Sequence, residues 1–432
     1  MTTKYYFKLA KEKLFKLNRS ITGNGTLNTL KIIKKEFPGL KIKKIKCGTK
    51  VFDWKVPPEW NVNKAYIEDK NLKKILDFRN NNLHLVGYSK RVKKTLAKSE
   101  LIKKFHYLKN QPTAIPYVTS YYKKDWGFCL SYNKFKKIKK IYNNKDKFKI
   151  FIDSKFNKDG NLNYGEILIG KKNKQEILIS TYICHPSMAN NELSGPIISM
   201  ALIEYFKKKE KKLNKNLRFI FIPETIGSIS YIYKNLKLLK TKIIGGYNLS
   251  CLGNEGGYSI MMSKYKNSPS DFALIEALKR LKKIKIKEYP YTERGSDERQ
   301  FNSPGVNLGI TSIFRKKYFE YPEYHTSLDN FDFITSKGIK ESFDLVKKTI
   351  SILDKKIIPK TNIICEPFMT KRNLYPTLSR KKNLSAFLNN CMDLLQYSDG
   401  KNTLEKISEI TKIKKNKLSY IYKFLKKNKL LN

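Results

Sequence analysis

The residues best suited to chemistry are two histidines, each in a polar loop that also carries acidic side chains. The first, His185, ends the apolar, β-branched run 177–184, and Pro186 directly after it must stop a strand. Asn191 and Glu192 follow in the same loop. Ligands of open α/β sheets bind at the carboxyl ends of the strands, so an imidazole in this position is more typical of a site than of a core.

Three further loops carry unusual polar groups after predicted strands. They contain, in chain order, Glu224, then Asp297, Glu298 and Arg299, and then Tyr324, His325 and Asp329. Imidazoles and carboxylates that meet at strand ends form the usual ligand set of a catalytic zinc, and a further carboxylate acts as general base on its bound water. Glu224 could instead be an acid satisfied by a helix N-terminus. The acids of the second loop could instead be ion-pair partners of Arg294 or Arg299.

Composition and charge bound the class of protein. The 432 residues are 40% hydrophobic and 12% aromatic, which supports a packed core and excludes global disorder. The net charge of +52 suggests an anionic partner, but lysine is spread over the whole chain, as a compositional bias would spread it. The six cysteines are far apart, which argues against a zinc ribbon or a disulfide framework. Without a signal-peptide core or a long apolar span, we expect a cytoplasmic protein with no membrane partner.

The order of periodic segments predicts an α/β fold class with a mostly parallel sheet covered on both faces. Two helices are predicted first, at 4–18 and 26–37. The strand candidates are 166–170, 176–184, 217–223, 243–252 and 306–314. The helices expected between and after these strands are 196–212, 227–240, 268–283 and 334–355.

Changes in the sequence pattern divide the chain into three predicted regions. Residues 1–40 and 159–355 form the α/β domain, and residues 41–158, with short strands and many aromatics, form a β-rich inserted domain. Residues 356–432 form a helical, winged-helix-like module. Its three helices are expected at 384–397, 402–411 and 415–428. Its lysines accompany apolar residues at core spacing, so we expect packing or protein docking and no specific nucleic acid partner.

Several of these motifs together resemble the zinc aminopeptidase clan, which includes the two-zinc bacterial aminopeptidases and the glutaminyl cyclases. The segments that carry this resemblance are His185, 191–195, 224–227, 296–298 and 324–329. More closely, the chain resembles a bacterial aminopeptidase-like family of unassigned function, often encoded among surface-polysaccharide genes. The signatures of that family lie at 52–54, 57–60, 82–85, 114–116, 126–128, 182–187, 223–228 and 321–326. This resemblance implies a zinc-aminopeptidase-like sandwich with a β-rich insertion and a winged-helix C-terminal domain.

The chain departs from the two-zinc enzymes at three ligand positions. Those enzymes have an aspartate bridging the metals where this chain has Asn191, and a glutamate ligand where Thr225 stands. Their remaining aspartate ligand corresponds to Ser250. Because an amide oxygen is a poor substitute for a carboxylate toward zinc, the resemblance implies at most one zinc per chain.

The resemblance also assigns roles to the residues of the four loops. The single zinc would be held by His185, His325 and a carboxylate, which is either Asp297 or Glu192. Glu224 occupies the general-base position, for which Glu192 and Glu298 are the alternatives. The residues expected to contact the substrate are Arg299, Tyr324 and Asn191.

These assignments predict a zinc-dependent, aminopeptidase-like hydrolase. Its substrate would be an amide bond of a small peptide or of an aminoacylated sugar. The alternative is a catalytically inactive binding protein that recognises a glycan precursor or a peptide through the aromatic insertion. A homo-oligomer is compatible with either prediction.

Overall fold

The computed structural model describes residues 2–170, 175–281, 285–374 and 382–432, and its centre is an eight-stranded mixed sheet. The strands are, in spatial order, Lys41–Lys46, Asn161–Ile169, Asn216–Ile222, Glu176–Tyr182, Ile243–Leu249, Ile310–Phe314, Tyr258–Met261 and Ile286–Glu288. The four central strands are parallel neighbours, whereas Lys41–Lys46 and Asn161–Ile169 pair antiparallel at one side. The predicted α/β class with a mostly parallel sheet is confirmed.

Each face of the sheet packs into its own hydrophobic core. Ile177 and Ile179 belong to one core and Leu178 to the other, because successive side chains of a strand point to opposite faces. The first core contains residues of the helices Thr2–Leu9, Asn24–Glu36, Ser194–Lys207, Pro269–Lys279 and Ser336–Lys355. The second core contains the helix Ile226–Lys242 and most of the inserted region. Burial on both faces explains why the central strands read as continuous apolar runs.

The insertion contains a separate four-stranded antiparallel sheet. Its strands are, in spatial order, Lys74–Asp77, Glu59–Glu68, Lys147–Asn157 and Val92–Ala97. Two smaller pairs and two helices complete the region, namely Lys50–Val51 with Trp54–Lys55, Phe105–His106 with Phe128–Cys129, Lys98–Leu101 and Tyr132–Ile141. Residues 41–46 were predicted to belong to this insertion, but they pair with Asn161–Ile169 in the main sheet.

The C-terminal region forms three helices around a core of its own. The helices are Lys382–Gln396, Leu404–Thr411 and Lys415–Lys427, and Leu394, Ile407 and Ile421 are fully buried between them. The short helical turns of the chain are Ala10–Leu14, Asn82–His84, Ile102–Lys104, Ala189–Leu193, Glu210–Lys212, Tyr291–Glu293, Glu298–Phe301 and Thr370–Arg372. Among the described residues, no helix has both the length and the apolar character needed to cross a membrane.

Candidate active site

The candidate site lies at the carboxyl ends of two neighbouring parallel strands. His185 follows Glu176–Tyr182, and Glu224 follows Asn216–Ile222. Because the two strands run in the same direction, the loops that leave them meet at one edge of the sheet. The Nε2 atom of His185 lies 3.8 Å from Oε2 of Glu224.

A buried carboxylate orients the imidazole of His185. Oε2 of Glu192 lies 2.9 Å from Nδ1 of His185 and also accepts the backbone N–H of His185 at 2.9 Å. When Glu192 is ionised, Nδ1 donates its proton in this contact, and Nε2 keeps its lone pair for a ligand. Burial, reinforced by the charge of Arg19, lowers the pKa of His185 to about 3, which keeps the ring neutral.

Arg19 lies behind this pair, and the sequence analysis missed it. Its Nε donates to Oε1 of Glu192 at 3.1 Å and to the backbone oxygen of His185 at 3.0 Å. Its Nη1 donates to the backbone oxygen of Leu14, so the residue ties the first helices to the histidine loop. Arginine is much rarer than lysine in this chain, and its guanidinium can donate to two acceptors in a way that lysine cannot. The choice of arginine at position 19 was therefore the one signal in the sequence for a specific role of this residue.

His325 brings the second imidazole to the same place. The ring centroids of His185 and His325 are 5.1 Å apart, and Tyr324 stacks on His325 at 3.9 Å. His325 has a left-handed backbone (φ 54°), and its carbonyl oxygen accepts the N–H of Tyr117 from the insertion at 2.8 Å. Burial lowers the pKa of His325 well below its ordinary value. Its Nε2 atom is buried without a protein partner.

Asp329 fixes the two histidine loops to each other. Its carboxylate accepts the backbone N–H groups of Ala189 at 3.1 Å and of Asn191 at 2.9 Å, and the hydroxyl of Tyr321 at 3.1 Å. The side-chain Nδ2 of Asn191 donates to the hydroxyl of Tyr182 at 2.9 Å, and its Oδ1 is buried without a partner. These hydrogen bonds hold the loops in place, while the neutral Oδ1 of Asn191 has no partner.

The loop that follows Glu224 is held by Asp297. Oδ1 of Asp297 accepts the N–H of Thr225 at 2.8 Å and the hydroxyl of Ser228 at 2.7 Å, while its Oδ2 is buried without a partner. Ser296 donates to Oε1 of Glu224 at 2.6 Å. Burial, and then the charge of Asp297, raise the pKa of Glu224 to about 8. Burial also raises the pKa of Asp297 to about 6.

Glu298 supports the loop rather than facing the site. One of its oxygens accepts the N–H groups of Gly295 and Ser296 and the hydroxyl of Tyr318, each at 2.9 Å. The other accepts Nδ2 of Asn248 at 3.2 Å and the hydroxyl of Ser312 at 3.3 Å. Because both oxygens are occupied, Glu298 is not available as the general base that the sequence analysis allowed.

Arg299 is aimed into a cavity beside Glu224. Its Nη2 donates to Oγ1 of Thr225 at 2.6 Å, and its Nε is buried without a partner. The charge of Arg299 acts on Asp297 and opposes the effect of burial on the pKa of that carboxyl. The cavity has a volume of about 260 Å³. It is lined by Ile21, Trp54, Tyr121, Tyr122, Cys184, Glu224, Thr225, Ile226 and Arg299.

The spacing of the donor atoms limits where a metal ion could bind. Among the described residues, the only group of three ligand atoms within 4.8 Å of one another is Cys184, His185 and Glu192. Arg19 already supplies a cation to Glu192 in this group. The predicted trio of His185, Asp297 and His325 is not such a group, because Asp297 is turned toward the backbone of Thr225. The trio of His185, His325 and Glu224 is not such a group either, although the two imidazoles lie side by side.

This fold and this arrangement of loops define an aminopeptidase-like α/β protein with a C-terminal winged helix. The chain belongs to the family described as domain of unknown function DUF4910, which matches residues 7–356. Residues 357–432 match a winged helix-turn-helix family. The predicted aminopeptidase-like family with a winged-helix domain is confirmed.

A relative from Clostridium acetobutylicum is similar along most of the chain. It is 39% identical over 399 residues, covering 91% of this chain and 88% of the relative. Its name describes it, provisionally, as a polysaccharide biosynthesis protein with an aminopeptidase-like domain. A crystal structure from the same organism, provisionally named a peptidase, has a TM-score of 0.78 at 35% identity, covering 100% of this chain and 96% of that one.

More distant solved structures share the fold. A zinc aminopeptidase from Bacillus subtilis has a TM-score of 0.60 at 12% identity, covering 82% of this chain and 96% of that one. A peptidase M28 precursor from Shewanella amazonensis has a TM-score of 0.55 at 10% identity, with the same coverage of 82% and 96%. At these identities the likeness establishes the zinc-aminopeptidase type of fold and nothing finer.

Proposed function

We propose that the protein is a hydrolase of amide bonds that uses a single metal ion. The substrate class is a small peptide or an aminoacylated sugar. One observation carries the proposal: two buried, neutral imidazoles lie together, with His325 Nε2 unpartnered and His185 Nε2 only 3.8 Å from the carboxylate of Glu224. The likeness of the fold to zinc aminopeptidases and the name of the Clostridium relative support it.

Each residue of the site then has one task. A zinc ion bound by His185 and His325 would polarise the amide carbonyl and acidify a bound water. Glu192 fixes the tautomer of His185 through Nδ1, a positioning role instead of the base or ligand role considered from the sequence. In its ionised form, Glu224 accepts the proton of the attacking water on Oε2 and returns it to the departing nitrogen, while Ser296 holds its other oxygen.

Three residues are proposed to contact the substrate, and of these Arg299 lines the cavity. Arg299 has an unpartnered Nε beside Glu224 and is suited to a carbonyl or carboxylate of the substrate. Asn191 contributes a free Oδ1, an acceptor suited to an amine. Tyr324 covers one face of His325 and keeps water from that side.

Metal analysis of the protein purified without chelator tests the proposal. We expect at most one zinc per chain and loss of that zinc in His185→Ala and in His325→Ala. His106→Ala is the matched control, because His106 lies in the insertion and outside the site. Two tightly bound zinc ions would overturn the single-ion proposal. Absence of metal under every condition would favour the second candidate, a binding protein without catalysis.

A specific observation favours that second candidate enough to keep it in the test. The amide of Asn191 donates through Nδ2 to Tyr182 and leaves a neutral, buried Oδ1, whereas an acid in its place would bind a metal more strongly. A binding protein would retain affinity for an amide-bearing ligand after removal of metal. A hydrolase would lose turnover and regain it when zinc is restored.

For the C-terminal helices we propose packing or protein docking rather than specific nucleic acid recognition. Apolar residues of Leu404–Thr411 and Lys415–Lys427 are buried in the module's own core, and the exposed lysines offer attraction to phosphates without reading bases. Any affinity for DNA should fall steeply with salt. A nanomolar, sequence-specific site at physiological salt, lost on deletion of 384–432, would contradict this proposal.

A further inference from the structure

A second cavity adjoins the one beside Glu224, and Trp54 lines both. Its volume is about 300 Å³. It is lined by Phe52, Asp53, Trp54, Ile229, Ile232, Leu236, Gln300, Ser303, Pro304, Gly305 and Val306. Gln300 directly follows Arg299, which lines the first cavity, so the two spaces are also joined along the chain. We call the two together the trench.

One helix runs beneath the whole trench. Ile226–Lys242 begins beside Glu224, and Ile226 lines the first cavity. Ile229, Ile232 and Leu236 lie on the same face of that helix and line the second cavity. The rise of 1.5 Å per residue places Leu236 about 15 Å from Ile226. The trench is therefore longer than the single amide group that Glu224 serves.

Exposed aromatic rings form the outer wall of the trench. The hairpin of Lys50–Val51 and Trp54–Lys55 carries Phe52 and Trp54, which are 46% and 41% exposed. Phe52 meets Tyr233 edge-on at 5.3 Å, and Trp54 lies 6.5 Å from Tyr122. Rings that are held in place by neighbours yet open to solvent offer rigid flat faces at low entropic cost.

The chemistry of the trench fits a sugar better than a peptide backbone. A sugar ring combines an apolar face with hydroxyl groups, which match an aromatic wall and the planar polar side chains of Asp53 and Gln300. An extended peptide is usually bound by main-chain hydrogen bonds to a strand edge. The floor here is a helix, whose backbone groups are already paired within it.

We infer that the second cavity is a saccharide subsite that holds the sugar part of an amide-linked substrate against Trp54 and Phe52. The inference rests on the proposed function for the position of the cleaved bond beside Glu224. The inferred subsite narrows the proposed substrate class to amides in which a sugar is attached to the reacting group.

Tryptophan fluorescence can test this inference because the other two of the three tryptophans are buried. Trp60 is 3% and Trp126 8% exposed, so acrylamide quenching of the folded protein reports mainly on Trp54. Glu224→Gln protein, which should not turn over, would be titrated with the trimer of N-acetylglucosamine and, separately, with trileucine. We expect the saccharide to protect Trp54 from acrylamide and the peptide to leave quenching unchanged.

Calorimetry on variants then tests whether Trp54 and Phe52 contact the saccharide. Trp54→Ala and Phe52→Ala should each weaken saccharide binding at least about fivefold, the order expected for loss of one aromatic contact. The matched control is Tyr265→Ala, since Tyr265 is 60% exposed and lines neither cavity. Protection by trileucine alone, or by neither probe, would overturn the saccharide subsite. Saccharide protection without bound metal or hydrolysis would overturn the proposed hydrolase while leaving the subsite intact.

Discussion

This protein contains two buried clusters in which an arginine contacts a glutamate, and the two clusters have different roles. The sheet cluster consists of Arg218, Glu166, Glu176 and Lys43, on neighbouring strands of the main sheet. The site cluster consists of Arg19, Glu192 and His185. In both, the arginine Nε meets a carboxylate, at 2.6 Å for Arg218 with Glu176 and at 3.1 Å for Arg19 with Glu192.

The two clusters differ in how well each carboxylate is compensated. Burial would raise the pKa of Glu166, but Lys43 and Arg218 together hold it below its ordinary value. At Glu192, the effect of burial exceeds that of its single cationic partner, Arg19, and of its hydrogen bond from His185, and the pKa of Glu192 rises to about 8. A second cation and partial contact with water make the sheet cluster stabilising. The site cluster is fully buried and orients an imidazole at a cost in stability.

The largest effect should come from the acid that faces the site. Glu224→Gln should lower kcat for hydrolysis of an aminoacyl-glucosamine amide by about 10²–10⁴-fold with zinc content unchanged, because the amide cannot accept the proton. Release of the free amine measures the rate. Glu166→Gln is the matched control and should leave kcat per folded molecule unchanged. Loss of zinc in Glu224→Gln would make Glu224 a ligand instead of the base.

Removing the arginine of the sheet cluster should have the next largest effect. Arg218→Met should lower the free energy of unfolding by about 3–5 kcal/mol, because it leaves buried Glu176 without its cation. Urea unfolding measures this loss. Arg280→Met removes an exposed ion pair with Glu276 and should cost at most about 0.5 kcal/mol. A drop in zinc affinity in Arg218→Met would contradict the separation of the two clusters.

A smaller effect should follow from weakening the site cluster. Glu192→Gln should reduce zinc affinity by about 10–100-fold, since the amide is a poorer partner than the carboxylate for Nδ1 of His185. Competition with a chromogenic chelator measures the affinity. The same change in the sheet cluster, Glu166→Gln, should leave it unaltered. Equal losses in both variants would show that general stability, and not orientation of the imidazole, sets metal binding.

Sequence patterns predicted the strands of this fold where both faces are buried. The runs that became Glu176–Tyr182 and Asn216–Ile222 are fully buried and mostly apolar, as is usual for central parallel strands, with Glu176 and Arg218 among the exceptions. The edge strand Lys41–Lys46 was assigned to the wrong region because only Ile45 is buried and lysines occupy most other positions. Tyr258–Met261 and Ile286–Glu288 were missed because three or four residues give too short a pattern.

For the candidate site, too, the sequence predicted local features but not the contacts between distant residues. The loops of His185 and Glu224 were predictable because each of these residues directly follows an apolar run. The contacts between distant parts of the chain were not, and Arg19 reaches Glu192 across 173 positions with no local signal. Glu192, Asp297 and Glu298 are all acids in loops, and the sequence does not distinguish their roles. The structure does, because Glu192 contacts the imidazole of His185, whereas Asp297 and Glu298 accept backbone N–H groups.

The smallest expected effect is a pH dependence that belongs to the sheet cluster. Since the folded-state pKa of Glu166 is lowered, the unfolded chain binds its proton at a higher pH than the folded one. The stability that Glu166 contributes is therefore complete above about pH 4.3, its ordinary pKa, and is lost as the pH falls through the lower folded value. Urea unfolding of wild type and Glu166→Gln across this window should show the difference between them shrinking toward acid. Lys43→Met should weaken the trend, because Lys43 supplies part of the shift. A difference that stays constant or grows as the pH falls would mean that burial dominates here as it does at Glu192, and the contrast between the two clusters would disappear.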